Sequence, residues 1–285
     1  MDAATAIKEP HEIPKRDLRF DLERPDMRTW HPAGLHVAHF WNALSIFFPL
    51  GETFFIEAVQ HYAGRIQDPK LQREVRGFTS QEGIHSREHR RYNRALASAG
   101  LPVAQLERIV RWRIDVMRKY APPIVQLAVT IALEHFTAMM AHVLLTHDDE
   151  SLGGADPVMA ATWRWHAIEE TEHKAVAFDV YRAVCGTGPV AYFRRTFILL
   201  VTSVVFWLLV FLFHARLVAA DGRLTDVRGW GKLFRFLWMK PGVLRRIIRP
   251  WFSYFRPSFH PWEHDNSDLV DGWKAAFAAT GQAPA

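Results

Sequence analysis

Two short motifs in this chain combine residue types that bind metal. Glu82-Gly83-Ile84-His85 and Glu170-Thr171-Glu172-His173 each read Glu-x-x-His. On a helix, residues three apart share a face, so each motif offers a carboxylate and an imidazole to one side. Acids also interrupt two apolar stretches: Glu52 in FFPLGETFFIEA and Glu134 in VTIALEHFTAMM. A lone buried carboxylate is costly unless paired or metal-bound. Helices that each give an inward Glu, two of them adding His one turn along, hold the ligand inventory of a di-iron or di-manganese carboxylate bundle. Two divalent ions close together repel. Bridging carboxylates neutralise and space them, and imidazoles complete the coordination while leaving positions open. The absence of thiolate suits two iron ions, with manganese or zinc as alternatives.

The neighbours of these motifs extend the set. His166, Glu170 and His173 stand at i, i+4 and i+7, a single helical stripe. His166 reads either as a further metal ligand or as a core histidine. Glu169 is a rival ligand and a candidate catalytic acid that could shuttle a proton. Glu169 and Gln81 each precede a motif glutamate and could hydrogen-bond the histidine of the opposite helix. Glu57 competes with Glu52, which is favoured because Pro49 and Gly51 can distort the helix and aim it. His89 is expected on a solvated face beside Arg87, Glu88, Arg90 and Arg91. His135 and His142 read as core or supporting residues, and His260 and His264 as structural or interfacial.

The elements that must position these residues are helical. At 285 residues and 49% hydrophobic, the chain suffices for one large helical domain or two small ones. The pattern predicts a helix over 35–65, kinked or broken at Pro49. A second starts at Asp68-Pro69 and stops before Gly100-Leu101-Pro102. An amphipathic helix covers 103–120, and one apolar nearly all round covers 124–146. Asp156-Pro157 opens a helix to about 184, ending at Gly186. No strand run is evident between Gly51 and Gly186. Residues 1–32 read as a polar arm that wraps the domain or is partly disordered. The N-terminus lacks the apolar core of a signal peptide. The single cysteine, Cys185, excludes intrachain disulfides and iron–sulfur clusters and reads as structural at a helix end.

Residues 196–215 contain no Asp, Glu, Lys or Arg, with Arg194 and Arg195 before and Arg216 after. That meets the threshold of roughly 18 apolar residues for a membrane span; a core or oligomer-interface helix, and so a homodimer, is the alternative. Over 229–261, Lys232, Arg235, Lys240, Arg245, Arg246, Arg249 and Arg256 alternate with Trp and Phe. This suits an interfacial segment on an anionic membrane surface and argues against nucleic acid. The expected location is the membrane with the bundle on the cytoplasmic side, although basic flanks at both ends leave orientation open. Phosphate-cradling Gly-rich loops and a Gly-x-Ser-x-Gly elbow are absent.

The segment WHAIEETEHKAVAFDVY at 165–181, with FPLGE at 48–52, resembles the bacterial family of predicted metal-dependent hydrolases. That resemblance implies an all-α protein: a ferritin-like antiparallel four-helix bundle over 33–190. A hydrophobic helix over 191–220 and a basic, aromatic segment over 221–285 are added. The stripe of His166, Glu170 and His173 also resembles the three-ligand helix of di-iron arylamine N-oxygenases. Together they imply metal-ligand roles for Glu52, Glu82, His85, Glu134, His166, Glu170 and His173. The expected function is a di-iron oxidoreductase that activates O2, takes electrons from a donor and oxidises an apolar or lipid-like substrate. The alternatives are a hydrolase using a metal-bound water and a non-catalytic metal-binding membrane protein.

Overall fold

The computed structural model describes residues 13–280, with side chains through 273, and contains no strand among them. Helix α1 (Leu35–Ala63) starts after Gly34, whose φ of 100° favours glycine. α1 is continuous through Pro49, so the break expected there does not occur. Hydroxyls of Thr53 (2.8 Å) and of Ser86 (2.9 Å) both donate to the Pro49 carbonyl. They tie α1 to the helix that carries Ser86, beside Glu52.

α2 (Pro69–Ser98) is capped by Asp68, which accepts from the Lys70 amide at 2.9 Å. α3 (Val103–Tyr120) leads to α4 (Pro123–Thr146) and the single turn α5 (Asp148–Ser151). Asp156 caps α6 (Pro157–His173) in the same way, accepting from Val158 at 2.9 Å. α1 packs on α2 and α4, and α6 packs on α2 and α4. The short links at 64–68 and 147–156 turn the chain back on itself, as in antiparallel neighbours.

The helix expected over 156–184 is two helices. α6 ends at His173, and α7 (Val176–Cys185) begins after a turn. Lys174 Nζ anchors that turn by donating to the His264 carbonyl (2.7 Å) and Asn266 Oδ1 (2.5 Å). α8 (Pro189–Ala220) packs on α1 and α4. Then follow α9 (Val227–Phe234), a π-helical turn (Arg235–Met239), α10 (Val243–Ser253) against α4, and α11 (Ser267–Thr280).

The N-terminal arm wraps the bundle from residue 13 onward; its first twelve residues lie outside those described. Arg16 reaches Glu172 at 2.7 Å, and the Phe20 amide donates to Glu88 at 3.2 Å. Glu88 and His89 are fully buried, which corrects the solvated face expected for them. The arm covers Glu88, and α1 and α6 cover His89.

Candidate metal centre

The interior between α1, α2, α4 and α6 is polar where a core is normally apolar. Glu52, Glu82, His85, Glu134, His166, Glu170 and His173 are each at most 4% exposed. Ligand atoms of six of them fall into two groups, Glu52, His85 and His166, and Glu82, Glu170 and His173, with Glu134 in neither. Within each group, one ligand atom per residue lies within 4.8 Å of the others. The histidines of the two motifs thus serve different groups, one imidazole to each.

The two motif glutamates straddle both groups. Glu170 Oε1 lies 3.1 Å from His166 Nε2 and 3.7 Å from His85 Nδ1, while its Oε2 lies 3.5 Å from His173 Nε2. Glu82 Oε1 is 3.1 Å from His173 Nε2, and its Oε2 is 4.0 Å from His85 Nδ1. Glu134 Oε2 is 3.7 Å from His173 Nε2. Both oxygens of Glu52, Glu82 and Glu134 make no hydrogen bond among the described residues, nor do His85 Nδ1, His166 Nε2 and His173 Nε2. Atoms this close without hydrogen-bond alignment have their lone pairs directed at shared space.

Magnitude argues for cations there. An uncompensated buried carboxylate costs on the order of several kcal/mol. Four would consume the about 5–15 kcal/mol by which a typical domain is stable. Burial pushes Glu82 above the ordinary carboxylate range even with His173 alongside. Burial, with His166 adding to it, holds His85 well below its usual value and therefore neutral, as a ligand must be. The donor chemistry of carboxylate and imidazole fits divalent ions such as iron, manganese or zinc.

The outer nitrogens of the rings are all engaged. His85 Nε2 bonds Glu169 Oε2 at 3.0 Å, and His173 Nδ1 bonds Gln81 Oε1 at 3.0 Å. These bonds leave His85 Nδ1 and His173 Nε2 as the inward lone pairs. Glu169 is held in turn by Arg16 at 3.1 Å. Burial, with Glu172 adding to it, pushes Glu169 up to about 8 against the pull of Arg16. Glu169, expected as a proton shuttle, stands at the edge of the His85 ring turned away from the cluster, where its bond to Nε2 orients that ring.

His166 Nδ1 lies 3.1 Å from His89 Nε2, His89 Nδ1 lies 2.9 Å from Ser45 Oγ, and Ser45 donates to Asn93 at 3.0 Å. With Nε2 of His166 turned inward, its Nδ1 proton donates to His89, whose Nδ1 proton donates to Ser45. This chain was missed in the sequence. The available signal was the spacing of His85 and His89, four residues apart on one face. Phe48 lies 4.7 Å from the His166 ring and Trp165 4.8 Å from His85, walling the centre with aromatic surface.

The remaining candidates lie elsewhere. Glu57 is on the surface, bound to Arg118 at 2.7 Å. His260 bonds Asp179 at 3.0 Å and His264 bonds Ser253 at 2.8 Å, both away from the centre. His135 and His142 line a cavity of roughly 490 Å³ whose wall also includes Glu134. Among the cluster residues, Glu134 is the one on that wall.

An all-helical bundle enclosing two facing groups of carboxylates and imidazoles defines a protein of the metal-binding helical class. The chain belongs to the family described as predicted metal-dependent hydrolase, whose model matches residues 14–265. No curated protein and no solved structure matches the chain.

Proposed function

We propose that the protein is a metal-dependent hydrolase working with two divalent cations. Glu52, Glu82, His85, Glu134, His166, Glu170 and His173 would hold them. The observation that carries this reading is the convergence of unbonded ligand atoms on one buried space. The family's description supports hydrolysis. Bound ions would lower the pKa of a water and polarise an ester or phosphoester oxygen. Glu82 and Glu170, each with one oxygen toward either group, are suited to share the pair. Glu169 and Gln81 keep His85 and His173 in the tautomers that present a lone pair inward. Substrate entering the cavity meets the centre at Glu134.

The test is turnover of an ester and phosphoester panel by zinc- or manganese-loaded protein without oxygen. Cleavage that disappears in Glu170→Gln supports the proposal. Turnover that needs both ferrous iron and O2 replaces it with a second reading, a di-iron oxygenase acting on an apolar or lipid-like substrate. That reading is favoured by the carboxylate-rich, thiolate-free donor set behind Phe48 and Trp165.

Membrane association belongs to the same proposal. α1, α4 and α8 are each long and apolar enough to cross a bilayer. The apolar windows of α1 and α4 are 67% and 72% buried within the protein, but that of α8 only 28%. α8 is the helix left to meet lipid, with Arg194, Arg195 and Arg216 at the ends of its apolar run.

A further inference from the structure

The cavity that ends at Glu134 has an uneven charge. Lys174, Arg245, Arg246 and Arg249 line it, and Glu134 is its one acidic lining residue. The three arginines are exposed and stand on one side of α10. Arg245 donates to the Met239 carbonyl (3.1 Å) and Arg246 to the Pro241 carbonyl (2.7 Å). Those bonds fix the stems and leave further guanidinium N–H groups to donate.

The other side of α10 is apolar. Ile248 is 43% and Phe252 62% exposed, and with Trp207 and Phe211 of α8 they line an open groove. One short helix thus separates a cationic cavity from an apolar groove, and that groove continues onto the exposed face of α8. A helix with this division lies in the interface of a bilayer, with its arginines at head-group depth.

We propose that the cavity binds the anionic head group of a bilayer amphiphile, a phosphate or carboxylate gripped by Arg245, Arg246 and Arg249. The alkyl part leaves the cavity past α10 into the bilayer that the exposed apolar residues of α10 and α8 meet. As a statement about substrate class, the inference rests on reading Glu134 as part of the reacting centre. As a statement about binding, it stands on the cavity and groove themselves. A guanidinium fork suits such oxo-anions because it donates two parallel hydrogen bonds.

The experiment is calorimetric titration of the full chain in a neutral detergent with dodecyl phosphate, dodecyl phosphocholine and inorganic phosphate. Metal content is measured on the same samples. Dodecyl phosphate should bind at one site per chain. Arg246→Gln with Arg249→Gln should weaken it by about tenfold or more, the loss expected for charge-assisted hydrogen bonds. Arg111→Gln, a charge change on the exposed side of α3, should leave binding unchanged. Equal binding by wild type and the double variant overturns the proposal, as does equal binding of the net-neutral phosphocholine. Inorganic phosphate binding as tightly as dodecyl phosphate overturns the amphiphile and leaves a soluble anion. Wild-type protein that binds dodecyl phosphate but holds no metal sinks the hydrolase reading and leaves the binding site standing.

Discussion

The centre of the bundle and the outer face of α8 are inverted with respect to an ordinary soluble protein. Inside, Glu52, Glu82, Glu134 and Glu170 are at most 2% exposed, whereas outside, Phe197, Val204 and Leu208 are more than 60% exposed. Each arrangement is unfavourable by itself. Buried carboxylates need a counter-charge, and an apolar face of that length needs a non-aqueous neighbour. The two regions call for opposite remedies: counter-charge for the interior, an apolar neighbour for the exterior. Between them lies α10, whose arginines face the cavity at Glu134 and whose Ile248 and Phe252 face the groove.

The largest effect is expected at Glu170. Glu170→Ala removes the carboxylate whose two oxygens face both groups. Activity should fall by about a thousandfold or more, the scale of removing an interaction made at the reacting centre. Bound metal should fall with it, read by elemental analysis. The next effect is chelation. Stripping ions held at about a thousand times their dissociation constant should cost about 4 kcal/mol of stability, read as a drop in Tm. Glu52→Gln should then act with opposite signs. It lowers the Tm of loaded protein by removing a ligand, and raises that of stripped protein by removing a buried charge.

The outer region is broken by charge. Val204→Asp and Leu208→Asp place carboxylates where water would accept them at little cost. In a bilayer each should cost about 2.5–3.5 kcal/mol. Membrane fractionation should therefore show release of the variant while Tm in detergent stays near wild type. An unchanged membrane fraction would return α8 to an oligomer interface. The smallest effect is at the supporting bonds. Gln81→Ala should weaken metal binding about 10- to 100-fold by freeing the His173 ring, whereas Gln81→Glu keeps an acceptor and should lose less.

Much of this organisation was legible from residue types at helical spacing. The all-helical fold follows from apolar periodicity and from Asp-Pro starts, which the structure shows as caps at Asp68 and Asp156. The choice of Glu52 over Glu57 rested on the neighbouring Pro49 and Gly51; Glu52 is buried, and Glu57 pairs with Arg118 at the surface. What was not legible depends on partners distant in sequence. His89 sits among Arg87, Arg90 and Arg91, so its local context reads as solvent. Ser45 and Phe48 of α1 and Trp163 and His166 of α6 bury it, at separations no periodicity reports. Arg16 likewise lies in a polar stretch with no helical pattern, yet it holds Glu169 and Glu172 at the back of the centre. The end of α6 at His173 was hidden because no glycine or proline marks it. Lys174 makes the turn through bonds to the C-terminal segment.

Elemental analysis of wild-type protein and Glu170→Ala, purified side by side, tests the central claim most directly. Two divalent transition-metal ions per chain in the first, and fewer in the second, are what facing groups of carboxylates and imidazoles require. A wild-type protein that stays folded and retains no metal after reconstitution, or a variant that keeps the full complement, would contradict it.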